Sequence, residues 1–463
     1  MTNLGDISAW LDANFARLVK EHQVPGAAIA VLANGEVIDR ATGVLSTATG
    51  VEATTDSLFQ IGSITKVWTT TLIMQLVDEG LLDLDAPVRT YLPDFTTSDD
   101  SAAAAMTVRM LLCHTAGFEG DIFTDTGRGD DCVEKYVAGL RDVAQLFPPG
   151  ERFSYNNAGF CVLGRIVEVL RGKPYDTCLA EYLFAPLGLQ HAAAGPYEAI
   201  LHRAAVGHLR PEPDADPVPA PMWCLVRSNG PAGASLAMSP RDLLAFARMH
   251  MEGGTAADGT SVLSSASVKA MQQVQVELPK LALMGEAWGL GWEVHKLDGP
   301  TVIGHDGGTI GQSAFLRVVP ELGVAVALLT NGGDPIRTYR EVVGHVLREL
   351  AGAELDGLPT PHAEPVRVDA SRFIGTYTCD VTEYVVSQDD DGRIWLDETP
   401  KGIMAEIGGG DTERSELAHY EGDTLIKLEP VQGLYMLMAF VGEDANGNAL
   451  YLHTGRATRR AGA

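Results

Sequence analysis

Apolar side chains recur at helical spacing in some stretches of the chain and at strand spacing in others, and the two kinds divide unevenly along its length. The first 24 residues, MTNLGDISAWLDANFARLVKEHQV, repeat apolar positions every three or four residues and predict an amphipathic helix. Two β-like runs follow in PGAAIAVLANGEVIDRATG, separated by Asn34-Gly35, the strongest short-range signal for a hairpin. From Ser63 to Gly80, SITKVWTTTLIMQLVDEG returns to helical periodicity and stops at a glycine suited to a C-terminal cap. VLGRIVEVLRG (162–172) and SPRDLLAFARMHMEGG (239–254) predict further helices, the second with Ser239 as N-cap and Pro240 at its first position. Strand spacing resumes over 301–331 in TVIGHD, SAFLRVVPE and GVAVALLTN, and TYREVVGHVLRELAG closes the region as a helix near residue 352.

The next stretch, ELDGLPTPHAEP, carries three prolines and little periodicity, as an inter-domain linker does. Beyond it, RFIGTYTC, YVVSQ, RIWLDE, TLIKLEP, LYMLMAFV and ALYLHTG are short alternating runs broken by Gly, Asp and Asn, the pattern of an antiparallel barrel. The expected organisation is an α/β (α+β) domain over residues 1–355, a linker at 356–366 and an all-β barrel over 367–463. A chain of 463 residues exceeds what one hydrophobic core usually serves, which agrees with two domains.

Composition changes this picture only at its edges. At 46% hydrophobic and 21% charged residues, the chain is neither disordered nor membrane-like. Its 34 basic against 61 acidic residues leave a net charge of -27, which repels phosphate backbones and anionic lipid headgroups, so neither nucleic acid nor membrane is an expected partner. The N-terminal stretch has no uninterrupted apolar core of a secretory signal, and no later run reaches the roughly 18 apolar residues of a spanning helix, so a soluble, cytoplasmic protein is expected. The six cysteines, at 113, 132, 161, 178, 224 and 379, show no C-x-x-C spacing or Cys/His cluster; reduced, mostly buried thiols and no metal or other cofactor are expected. Cys113 beside His114 suggests a catalytic pair, but neighbours in sequence rarely face each other usefully.

Three elements carry candidate chemistry. Ser63 and Lys66 stand three residues apart at a helix start, so hydroxyl and amine share one face, and the amine can take the hydroxyl proton. Unpaired N–H groups and the positive dipole end there would lower the amine's affinity for its proton. Tyr155, Asn156 and Asn157 lie in a polar loop before a helix; a tyrosine acting as a base needs a neighbouring cation, for which Lys66 is the candidate. In His305-Asp306-Gly307-Gly308, glycines at a strand edge let substrate approach the backbone, and the N–H groups of Gly308 and Ser63 could form an oxyanion hole.

Taken in this order, S-x-x-K, Y-x-N and H-x-G, within FQIGSITK, LLCHTAGF and PGERFSYNNAGF, resemble serine β-lactamases of the class C type, D-alanyl-D-alanine peptidases and related esterases. The resemblance spans about residues 10–350. It implies that Ser63 is the acylated nucleophile, that Lys66 and Tyr155 are its proton-transfer partners, that Asn157 hydrogen-bonds substrate and lysine, and that His114 is structural. His305 stands where lactamases usually carry lysine, which points away from β-lactam recognition and towards esterase, amidase and peptidase branches.

The β-rich tail resembles the lipocalin-like domain of D-stereospecific aminopeptidases and of penicillin-binding-protein-type thioesterases, the stand-alone cyclases of nonribosomal peptide biosynthesis. The latter resemblance implies a peptidyl thioester substrate ending in a D-residue, for which a carrier-protein domain of a peptide synthetase is the candidate partner, and release by head-to-tail macrolactamisation. A D-stereospecific aminopeptidase, amidase or esterase is the alternative, and a catalytically inactive binding protein on the same fold a further one. Asp306, Gly307, Trp223 and Arg456 are candidates for binding substrate, and Trp288 and Trp292 for lining an apolar pocket.

Overall fold

The computed structural model describes residues 3–462 apart from 213–214, 403–404, 406–409 and 432. Helix α1 (Leu4–Glu21) starts in a capping box in which Asn3 and Asp6 satisfy each other's backbone N–H. Strands β1 (Gly26–Ala33) and β2 (Glu36–Gly43) form the expected hairpin. Its turn residues Asn34 and Gly35 both have positive φ, 53° and 79°, the twist that a two-residue hairpin demands.

Every residue of β1 is buried, because the strand lies inside a sheet covered on both faces. Ala27, Ile29 and Val31 point to a core shared with α1 and α5 (Pro335–Ala351); Ala28, Ala30 and Leu32 point to a larger core shared with α2 (Thr65–Asp78), α3 (Asn157–Arg171) and α4 (Pro240–Met251). The helix start expected at Ser239 is realised, its hydroxyl accepting from the Asp242 N–H.

Six further strands complete the antiparallel sheet: β3 (Val276–Glu277), β4 (Ala287–Trp288), β5 (Glu293–His295), β6 (Val302–Gly308), β7 (Ser313–Val319) and β8 (Val324–Thr330). Their order is β2-β1-β8-β7-β6-β5-β4-β3.

The last hundred residues close into an eight-stranded antiparallel barrel. Its strands are β9 (Gly375–Thr378), β10 (Thr382–Gln388), β11 (Ile394–Pro400), β12 (Glu413–Glu421), β13 (Thr424–Lys427), β14 (Leu437–Glu443), β15 (Ala449–His453) and β16 (Ala457–Arg460). Leu396, Leu425, Phe440 and Leu452 fill its core, and Ala370 and Phe373, ahead of β9, already belong to it. Among the described residues, no helix is long and apolar enough to cross a membrane.

Candidate active site

Ser63 occupies a single 3-10 turn, Gly62–Ile64, that runs into α2. Two glycines press closely on the backbone of this turn. A Cβ on Gly307 would stand 1.9 Å from the Ile61 carbonyl oxygen, and one on Gly233, at φ 119°, would stand 2.3 Å from that of Gly62. Only side-chain-free residues permit this approach. It brings the end of β6 against the nucleophile turn, so that a Cβ on Gly62 would lie 2.6 Å from the Gly308 nitrogen.

The three-residue spacing sets Lys66 Nζ 3.1 Å from Ser63 Oγ and 2.6 Å from the Ala232 carbonyl, to which it donates. Lys66 is fully buried. Burial pushes its pKa down to about 7, with Arg456 acting in the same direction and Asp121 against it. The depression expected from a helix terminus therefore has desolvation as its main cause.

Tyr155 lies with its ring centre 4.8 Å from Lys66 Nζ and stacks on His114 at 4.4 Å. Burial raises its phenol well above the ordinary value, against the lowering effect of Ser63 and Arg456. Tyr155 is thus a proton donor at neutral pH, with Lys66 the better acceptor. His114 supports this arrangement from beneath: its Nδ1 accepts from the Asn156 N–H at 2.9 Å and burial keeps the ring neutral. Cys113 bonds Thr115 and makes no pair with His114.

His305, on β6, is 1% exposed and lines the same cleft as Ser63 and Tyr155. Its Nδ1 is 2.6 Å from the Asp306 carbonyl, and burial lowers its pKa to about 4, so it is neutral. Asp306 is tied to the buried Arg317 guanidinium at 2.6 Å.

The barrel completes the site. The turn between β15 and β16 carries Thr454, Gly455 and Arg456 over it: the Tyr155 N–H donates to the Gly455 carbonyl at 3.0 Å, the Ala457 N–H to Ser154 Oγ at 3.1 Å, and His453 Nε2 to the Phe153 carbonyl at 2.9 Å. Arg456 pairs with Asp121 at 2.7 Å and lies 4.9 Å from the Tyr155 ring centre. The resulting cleft, about 310 Å³, has Ser63, Tyr155, His305, Glu293 and Arg456 on its polar side. Its apolar wall is the loop Leu281-Ala282-Leu283-Met284 with Met436 and Leu437 of the barrel.

The family model of Beta-lactamase matches residues 11–348. The chain belongs to the β-lactamase family. Penicillin-binding protein 4 of Amycolatopsis lactamdurans is 46% identical over 374 residues, covering 80% of this chain and 97% of that protein. Esterase EstB of Burkholderia gladioli is 28% identical, covering 70% and 90%. The crystal structure of SurE superposes with a TM-score of 0.79 at 29% identity, over 99% of this chain and 100% of that one, so the likeness includes the barrel; SurE with D-Leu matches at 0.78. The chain is accordingly a β-lactamase-family serine enzyme of the hydrolase and acyltransferase type with a C-terminal lipocalin-like barrel.

The sequence expectations for Asn157 and for the three candidate tryptophans meet a different arrangement in this family member. Asn157 makes no hydrogen bond to Lys66; its amide donates to Asp121 Oδ1 at 2.7 Å, because Arg456 holds that carboxylate within reach. Trp223 is absent from the cleft lining: its indole donates to the Ala205 carbonyl and packs with Leu58, Ala193, Ala199 and Ala237. Trp292 lies in the main core, whereas Trp288 packs beneath the site on Tyr155, Phe153 and His305. Glu293, Asp121, Gly233 and the 281–284 loop escaped the sequence reading. Only the loop had a local signal, four apolar residues following Pro279 and Lys280.

Proposed function

We propose that the enzyme accepts a peptidyl thioester ending in a D-residue, forms an acyl-Ser63 ester, and releases it by attack of the peptide's own amine, a head-to-tail macrolactamisation. Lys66 takes the Oγ proton as Oγ attacks the thioester carbonyl, and the main-chain N–H groups of Ser63 and Gly308 receive the oxyanion. Tyr155 gives its proton to the departing sulfur and is reprotonated by Lys66, so a thiol leaves. In the second half the amine attacks the ester, and one of its protons returns through the same pair to Ser63 Oγ. Arg456 orients a polar group of the peptide, with Asp121 and Asn157 positioning its guanidinium.

The observation that carries this reading is the roof over Ser63. The barrel turn and the 281–284 loop flank Ser63 in an open cleft with a mostly apolar lining, which limits the polar contacts that hold water beside the ester as a competing nucleophile. The end-to-end likeness to SurE, solved also with D-Leu, supports a D-configured acyl residue. Presentation by a carrier-protein domain and a cytoplasmic location accord with such a substrate.

A D-stereospecific aminopeptidase, amidase or esterase is the second reading, and the likeness to EstB, an esterase by name, supports its hydrolytic part alone. Incubating the enzyme with several peptidyl thioesters that end in a D-residue, with mass analysis of the products, separates the two. Macrolactam is expected; linear acid alone from every peptide would overturn the cyclase reading.

A further inference from the structure

The His305 side of the cleft carries two buried acceptor atoms, His305 Nε2 and Glu293 Oε2, that no hydrogen bond among the described residues satisfies. The Asp306 carbonyl can only accept, so the 2.6 Å contact fixes the proton of His305 on Nδ1 and leaves Nε2 with a bare lone pair. Nε2 is buried and has no hydrogen-bond partner among the described residues. Glu293, 2% exposed, approaches the same ring from its Nδ1 side: Oε1 lies 3.7 Å from His305 Nδ1 and receives the Asp306 N–H at 3.3 Å, while Oε2, 3.5 Å from His295 Nε2, has no hydrogen-bond partner among the described residues. Both residues line the cleft that holds Ser63.

Among the described residues, no lysine or arginine forms an ion pair with this carboxylate. Its ion-pairing neighbours within 4 Å among the described residues are His305, at 3.7 Å, and His295, at 3.5 Å, and burial lowers both rings to about 4. Arg317 is engaged by Asp306, the Tyr339 hydroxyl and the Leu316 carbonyl; Arg456, across the cleft, is engaged by Asp121. A buried carboxylate oxygen and a buried imidazole nitrogen without donors are costly unless a ligand supplies them.

We infer that Glu293 and His305 form a subsite for a primary ammonium or amine of the substrate, which donates N–H bonds to Glu293 Oε2 and His305 Nε2. The inference rests on the acyl-Ser63 reading above. The group has two possible sources, the amine that attacks the acyl-enzyme or an α-ammonium on the acyl donor.

The test uses the full-length enzyme with n-butylammonium as probe. In the wild type, n-butylammonium should slow fluorophosphonate labelling of Ser63 competitively, and 1-pentanol at the same concentration should not; equal effects would overturn the subsite. Glu293→Gln, which keeps the shape and removes the charge, should weaken the n-butylammonium effect about tenfold or more. Two further arms locate the source. Loss in E293Q of the aminolysis-to-hydrolysis ratio with added n-butylamine assigns the attacking amine, and loss of the preference for D-phenylalanine amide over its N-acetyl form assigns the donor's ammonium. If neither ratio changes, the inference is wrong. Failure of the wild type to be labelled at Ser63 would instead strike the acyl-Ser63 reading.

Discussion

Replacing Lys66 by methionine should make the protein more stable while removing its activity. The lysine is fully buried and its pKa falls from 10.5 to about 7, mainly through burial. A shift of roughly 3.5 units, at about 1.4 kcal/mol each, corresponds to a folding penalty of about 5 kcal/mol well below pH 7 and about 4 kcal/mol at pH 7, where the folded lysine is half deprotonated. Methionine matches the volume and carries no charge, but it deprives the Ala232 carbonyl of its donor, a loss of about 1–3 kcal/mol. A net gain of roughly 2 kcal/mol is expected.

The sign with pH follows from proton release. Between about 7 and 10.5 the unfolded chain holds a proton that the folded lysine does not, so wild-type stability rises with pH across that window. The advantage of Lys66→Met should be greatest at and below pH 7, vanish at about pH 9, where the remaining penalty equals the roughly 2 kcal/mol lost at the Ala232 carbonyl, and reverse above it. Urea unfolding of both proteins at pH 7, 8 and 9 reads this directly. A variant less stable at every pH, or a constant difference, would refute the assignment of Lys66 as a neutral buried amine. The same amine predicts that kcat/KM of the wild type falls about tenfold per unit below pH 7, where the lysine is protonated and cannot take the Ser63 proton.

Arg456→Ala should raise KM about tenfold and move the rising limb of the pH profile upward, because Arg456 lowers the Lys66 pKa and its loss leaves Asp121 uncompensated; stopped-flow acylation across pH 5 to 9 measures both. Gly307→Ala forces a Cβ to within 1.9 Å of the Ile61 carbonyl and should cost roughly 2–4 kcal/mol and most activity, whereas Gly357→Ala, with open space around it, should be neutral in thermal unfolding. His453→Ala removes the buried donor to the Phe153 carbonyl and should lower stability by about 2 kcal/mol and kcat several-fold, since residue 153 leads into Tyr155.

Periodicity and turn chemistry made the scaffold legible: α1, the Asn34-Gly35 hairpin, α2 behind Ser63 and α4 behind Ser239 follow from local rules that tertiary packing did not override. In the barrel, β12 and β16 went unread because ERSELAHYE and ATRR are charged, and edge-on alternation with charged side chains outward carries a weak signal. At the site, Ser63 and Lys66 were visible because their chemistry needs a three-residue spacing on one helix. Asp121 and Arg456 are 335 residues apart and meet only when the barrel docks, and Glu293 reaches His305 across neighbouring strands. Such pairings have no sequence spacing to read. Trp223 is a similar case, since the residues it packs with, Leu58, Ala193, Ala199 and Ala237, come from other segments of the chain and not from its own.

The most direct measurement mixes the enzyme with a peptidyl thioester, quenches in acid within the first turnover, and maps the acyl group by mass spectrometry. The peptide containing Ser63 should carry the acyl mass, and Ser63→Ala should show neither adduct nor turnover. Undiminished turnover by the Ser63→Ala protein, or an acyl group on another residue, would contradict the account.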